Sequence, residues 1–390
     1  MTQPQPQPSY ILRGHGAQIH STSFLRRNSR LITGDAEGWV VIWGLAIKRP
    51  VAVWRAHEGS ILGAEPWGDD KIITHGKDNK LIVWKFSEED EESMSVVLPV
   101  NTPDSRKQPW LLHVLEVNTM NFCPFAACLM SSQAPPSSAI NKELLVAVPN
   151  ILTSKTVDIF HLPSSNRIHA VPNKGTFKGG MIMTISIFHH PQTGFLTVIA
   201  GYENGNTTVS QLSSNDSWKM LYSAHTHSQP ILSLQVEPSK QFYVTSSADA
   251  IIAKHPIPMS LENTIMNPED RPLKVSQTKH SGQQGLKMRD DGKIFATAGW
   301  DSKVRVYSAK SLKELAVLKW HKEGCFAVAF ASIETTQESE GNEKGEENEG
   351  GLIKTVGTMT VKEERLWKAK MAHWIAVGSK DGKVSLWDIY

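Results

Sequence analysis

Histidine and an acid recur together along this chain, and that pairing could move protons. His15 precedes Glu37, His57 precedes Asp78, His280 precedes Asp301, and His321 precedes Asp381. A hydroxyl, an imidazole and a carboxylate are the parts of a hydrolase relay, so nucleophilic catalysis is the first chemistry to weigh. The sequence supplies nothing to complete it. It has no nucleophile elbow, no P-loop, no Gly-rich dinucleotide turn and no His-Glu-x-x-His helix. The adjacent pair His189 and His190 runs into Pro191-Gln192-Thr193-Gly194, which reads as a turn rather than a metal site. Cys123, Cys128 and Cys325 lack the paired spacing of a zinc set and are too few for a disulfide framework. They read as core thiols in a reducing compartment. No catalytic residue, cofactor or metal site is assigned. A hydrolase would need unpaired carboxylates converging elsewhere.

What positions these residues is a repeat. Glu37 and Trp43, Asp78 and Trp84, Asp301 and Tyr307, and Asp381 and Trp387 each stand six positions apart, acid first, in four separate copies. Leu31-Ile32-Thr33 and Ile72-Ile73-Thr74 precede the turns. Val40-Val41-Ile42-Trp43 and Leu81-Ile82-Val83-Trp84 follow them. Short β-rich runs bounded by Gly, Asp, Asn and Ser are antiparallel hairpins. A unit this small cannot bury both faces alone, so copies must stack.

Arg13-Gly14-His15, the turn acids and Trp387-Asp388 resemble the WD-repeat family of β-propellers. The resemblance implies one buried His–hydroxyl–Asp–Trp network per blade. The fullest set is His321, Ser379, Asp381 and Trp387. The second blade offers His57, Asp78 and Trp84, with Gly76 in the hydroxyl place. The first offers His15, Glu37 and Trp43, and the sixth His280, Asp301 and Tyr307. The fifth offers Ser247 and Asp249, with His255 as the ring. These residues read as structural rather than catalytic. Blade starts fall near His15, His57, His113, Thr176, His227, His280 and His321, the third running through 111–115 and ending at Phe160. The fold expected is all-β: a seven-bladed WD40 propeller, closed when residues 9–13 add to the last blade and remove its open edge. Residues 1–8 form a Gln/Pro tail, and 9–390 one domain with insertions near 88–107, 131–143 and 334–365. The acid runs 88–92 and 338–349 read as solvated loops.

The chain has 390 residues, 40% hydrophobic and 21% charged, with a net charge of +2. That balance argues against holding nucleic acid by bulk charge. No apolar run reaches the roughly 20 residues of a membrane helix, and MTQPQPQPSY carries no secretory pattern. No small-molecule substrate is implied.

The stretches 115–123, 157–163 and 200–205 are similar to the ASTRA-associated protein 1 family, whose animal relatives are called guanine nucleotide-binding protein beta subunit-like. The likeness implies a non-catalytic scaffold subunit of a nuclear assembly, linked to chromatin remodelling and to maturation of phosphatidylinositol-kinase-like kinases. A true G-protein β role would want an N-terminal coiled coil, which residues 1–10 cannot form. In WD-repeat propellers the residue before the turn acid tends to face partners. Here that means Lys77, Glu203, Ala248, Trp300 and Lys380, with Trp300 foremost. Trp300 and Glu203 also leave open a reader of histone or other peptide ligands at that face.

Overall fold

The computed structural model describes residues 6–100, 106–118, 122–131, 143–173, 180–259, 268–333 and 359–389. Seven four-stranded antiparallel sheets form seven blades of a propeller. Blade 1 is built from Ile19–Leu25, Arg30–Asp35, Trp39–Gly44 and Arg49–Arg55, counted from the channel outward. Blades 2 to 6 follow over 61–116, 126–171, 182–225, 231–277 and 283–319. Blade 7 takes Cys325–Phe330, Trp374–Ser379 and Lys383–Asp388, and its outer strand is Tyr10–Arg13 from the other end of the chain. Tyr10 pairs with Leu386 and Arg13 with Lys383, so the N-terminal strand closes the ring.

The middle strands are largely buried, and Trp39–Gly44 and Leu144–Pro149 along their whole length, because both faces lie against neighbouring blades. Contact between blades follows a repeated device. On the second strands, Gly34, Gly201 and Gly378 lie under Ile61, Ile231 and Ile19, the first inner-strand residues of the next blades. A Cβ there would fall 2.6, 2.8 and 2.4 Å from those isoleucines. The last contact joins blade 7 to blade 1. In blade 2 the corresponding residue is His75, fully buried against Phe125 at 6.2 Å between ring centroids, where the short first strand of blade 3 supplies no isoleucine.

Three sequence expectations need correcting. Residues 111–115 do not open blade 3; Trp110–Glu116 is the outer strand of blade 2, paired with Lys80–Lys85, and blade 3 begins at Ala126. The insertion at 88–107 therefore splits the last hairpin of blade 2. Its acids are not all solvated. A short 3-10 turn at Glu89–Ser93 sets Glu91 against Arg26 and Arg30 of blade 1, and Met94 is buried in the core between blades 1 and 2. The insertion at 334–365 leads into a helix, Val361–Met371, opened by a reciprocal Thr360–Glu363 capping box and docked through buried Ala369. Residues 132–142 and 334–358, with Thr176, lie outside the described residues.

Candidate partner-binding face

In blade 2 the indole N–H of Trp84 donates to Thr74 Oγ1 at 2.8 Å. The threonine has one proton, which it can pass on to His57 Nε2, also 2.8 Å away. His57 Nδ1 is then the donor to Asp78, at 2.9 Å. One oriented chain thus runs from indole to carboxylate. Although burial opposes it, the hydrogen bond and charge of His57 hold Asp78 below the usual carboxylate range. Blade 1 repeats the chain through Trp43, Thr33, His15 and Asp35. In blade 5 His255 replaces the indole, 2.9 Å from Thr245, which contacts His227, which contacts Asp249.

The hydroxyl in these chains lies on the second strand, two residues before the position expected from sequence. Ser247 and Ser379 instead donate to carbonyls of the preceding loop, Pro230 and Gly324, at 2.8 and 3.1 Å. Gly76 is small because a Cβ there would meet the His57 ring at 2.3 Å. In blade 1 the acid is Asp35, not Glu37; Asp35 is fully buried and also accepts from the N–H groups of Glu37 and Trp39. Blade 7 has Val377 at the threonine place, and Ser385 of the next strand takes over, 2.8 Å from both His321 and Trp387. Asp381 stands 3.5 Å from His321.

Blade 6 departs furthest. His280 offers its backbone carbonyl to Gln283, and the buried amide of Gln283 takes the ring's place, accepting from Thr297 at 2.6 Å and Tyr307 at 3.4 Å. Asp301 is gripped by the buried guanidinium of Arg305 at 3.1 and 2.6 Å. Burial works against Asp301, but Arg305, together with the N–H and charge of Lys303, holds the carboxyl below its ordinary range.

The same turns place the docking candidates. The N–H groups of Lys77, Glu203, Ala248, Trp300 and Lys380 each bond a carbonyl of the loop entering their own blade: Ser60, Met181, Pro230, Gly282 and Gly324. This equivalence sets all five on one face of the ring. Trp300 is 48% exposed. Its ring lies flat on Gly282, where a Cβ would approach to 2.2 Å, and its N–H donates to Gln284 Oε1 at 2.7 Å. Gln284 in turn lines the central channel. Lys77 caps the exposed ring of Phe122 at 3.8 Å, a pairing that sequence alone did not suggest because Phe122 belongs to the entry of another blade. Glu203 folds back, its carboxylate accepting from Met181 N–H at 3.3 Å. Leu152 of blade 3, 91% exposed, stands at the same kind of turn and was also missed.

A sequence model of the ASTRA-associated protein 1 family matches residues 8–387, nearly the whole wheel. The chain belongs to that family. Its members named ASTRA-associated protein 1 include one from Verticillium alfalfae, 51% identical, the match covering 99% of this chain and 93% of the relative. One from Pyricularia oryzae is 44% identical over 98% and 97%, and one from Schizosaccharomyces pombe 32% over 83% and 93%. Among solved structures, the β-propeller domain of Cps50 (Swd1) from Myceliophteria thermophila superposes with a TM-score of 0.64 at 14% identity, over 99% of this chain and 100% of that one. That likeness speaks for the propeller fold.

The ASTRA-associated protein 1 family is a non-catalytic scaffold type, and this chain belongs to it. Its channel has a volume of about 840 Å³. The carboxylates among its described lining residues are engaged: Glu65 accepts from Lys287 at 3.2 Å and Ser23 at 2.6 Å, and Asp70 binds Lys71 at 2.9 Å.

Proposed function

We propose that this protein is a scaffold subunit of the nuclear ASTRA assembly, serving chromatin remodelling and the maturation of phosphatidylinositol-kinase-like kinases. The observation that carries the reading is the family match over residues 8–387, which spans every blade rather than a generic repeat. Its partners are protein subunits. The face bearing Trp300, Lys77 and Lys380 is the docking surface, with Trp300 as the anchor, since a half-exposed, pre-oriented indole loses little entropy on binding.

Affinity purification of the tagged full chain, followed by mass spectrometry, tests the assembly. Remodelling ATPases and a giant kinase are expected; recovery of only a small γ-like protein would defeat the reading. Trp300→Ala tests the face. Its melting temperature should stay within a few degrees of the native chain while partner recovery falls. Unchanged recovery from a protein that unfolds early would make Trp300 a packing residue.

A further inference from the structure

The outer strand of blade 2 differs from the other blade edges. Trp110–Glu116 reads WLLHVLE and exposes three large apolar side chains, Trp110 at 75%, Leu111 at 47% and Val114 at 42%. Its one charge is the terminal Glu116. By contrast Arg49 and Arg55 flank the outer strand of blade 1, and Glu314 and Lys319 that of blade 6. Charges of this kind keep open edges from pairing with other chains, and a long apolar edge without them invites a strand.

The backbone of that edge is also available. Val117 N–H donates inward to the Asn79 carbonyl at 3.0 Å, one step beyond the Lys80–Glu116 pair. Antiparallel ladders alternate, so Leu115 and His113 also turn their amides inward, and Glu116 and Val114 present theirs to the open side. The molecule already bridges a segment of chain to the outer edge of another blade in this way. On blade 4, Glu269 takes the N–H of Ser223 at 2.9 Å and gives its own to Leu221 at 3.0 Å, in a parallel bridge opposite Tyr222.

We infer that the outer strand of blade 2 is a β-addition site for an extended segment of another polypeptide, apolar at alternate positions and acidic at its ends. The acids follow from the rim. Lys80, Lys85 and Lys107 are exposed around the edge; of the acids close by in the chain, Arg30 holds Glu88 and Glu91, and Asp90 accepts from the N–H and hydroxyl of Ser87. A second copy of this chain would bring the same positive rim, whereas an acid-flanked strand complements it. Main-chain bonds supply the grip and the exposed Trp110, Leu111 and Val114 the selection. The edge takes such a strand whichever assembly supplies it.

The test uses the full chain and a fluorescein-labelled peptide of alternating valine and threonine with two glutamates at each end. Saturable binding is expected, weakened about tenfold or more by Val114→Pro, which removes an outward N–H while leaving the inner ladder bonded. Val114→Lys should do the same. Leu315→Lys, on the blade 6 edge, should leave binding unchanged, and a peptide with lysine ends should bind about tenfold or more weakly. Hydrogen exchange should slow at Val114 and Glu116 when the peptide binds, but not at His113 or Leu115. No saturable binding, or native affinity in Val114→Pro, overturns the site. A dimer in sedimentation that Val114→Pro abolishes makes a second copy the occupant and overturns the partner. If Val114→Pro melts early, Val114→Lys and the exchange pattern decide.

Discussion

Thr74 is one atom away from valine in shape, and its hydroxyl is the junction of blade 2's polar chain. It accepts from Trp84 and reaches His57, both buried, so its loss would orphan an indole N–H and an imidazole nitrogen together. Each orphan costs about 1 to 3 kcal/mol, which makes Thr74→Val destabilising by about 3 kcal/mol with almost no change in volume. Urea unfolding measures this directly, and a loss below about 0.5 kcal/mol would show the hydroxyl to be dispensable. The threonine place was misread from sequence for a physical reason. Turn residues such as Ser247 and Ser379 sit beside the acid in the chain, yet the register pairs Thr33 with Val41 and Leu31 with Trp43, bringing the strand threonine under the indole. Adjacency along the chain did not predict adjacency across the sheet. Blade 7 shows that what is kept is the location of a hydroxyl, since Ser385 reaches the same point from the opposite strand.

At the scale of elements, the two insertions hold a turn that could not hold itself. Arg26, Arg27 and Asn28 have φ of 49°, 48° and 59°, three successive non-glycine residues in the left-handed region, each costing about 1 to 2 kcal/mol. Arg26 spends its guanidinium on Glu91 and on the carbonyls of Asp69 and Phe86. Asn28 binds the backbone of Ser332 through both its amide and its oxygen, and the Lys370 carbonyl at the end of the helix Val361–Met371. Glu91 also meets Arg30 at 2.8 Å, with all three charged side chains largely buried. Glu91→Ala strands two buried guanidinium groups and should cost about 3 kcal/mol. It should also open the segment to trypsin at Arg106 and Lys107 before the blades are cut. Native melting together with a native digestion pattern would refute the clasp. None of this was legible in the acid run itself, because the arginines that bury Glu91 lie on another blade. The helix was more legible than it looked. Thr360-Val361-Lys362-Glu363 is a capping box, overlooked beside the polar stretch that precedes it.

Over the whole molecule, the seven-fold repeat and its closure by the N-terminal strand could be read from the turn acids and closing aromatics, since every blade needs the same hairpin. Blade 3 could not be framed, because His113 stands on the outer strand of blade 2 and mimics a blade start, while Asn118 and Asn150 replace the usual polar pair, bonded at 2.6 Å through Nδ2 and a carbonyl. The repeat also stores His75 and His255 where water cannot reach, and this sets how the wheel meets acid. Burial, with the nearby charge of His57, pushes His75 down to about 3; burial, with that of His227, does the same to His255. Burial also lowers His20, His113 and His190. The unfolded chain takes up these protons below 6.5, the ordinary imidazole value, while the folded wheel takes them up only at lower pH, far lower for His75 and His255. For His75 and His255 stability is therefore greatest above pH 6.5 and falls as the pH drops towards 3, by about tenfold in the folding constant per pH unit for each. Asp78, Asp249, Asp301 and Asp381, held below the usual carboxylate range, add their own loss only at lower pH. Between pH 7.5 and 5 the two most depressed histidines alone should lower the folding constant roughly a thousandfold. His75→Phe keeps the ring packed on Phe125 and should roughly halve that slope. Chemical unfolding at pH 7.5, 6 and 5 measures both, and a stability independent of pH across that range would mean that these rings are not sealed from water.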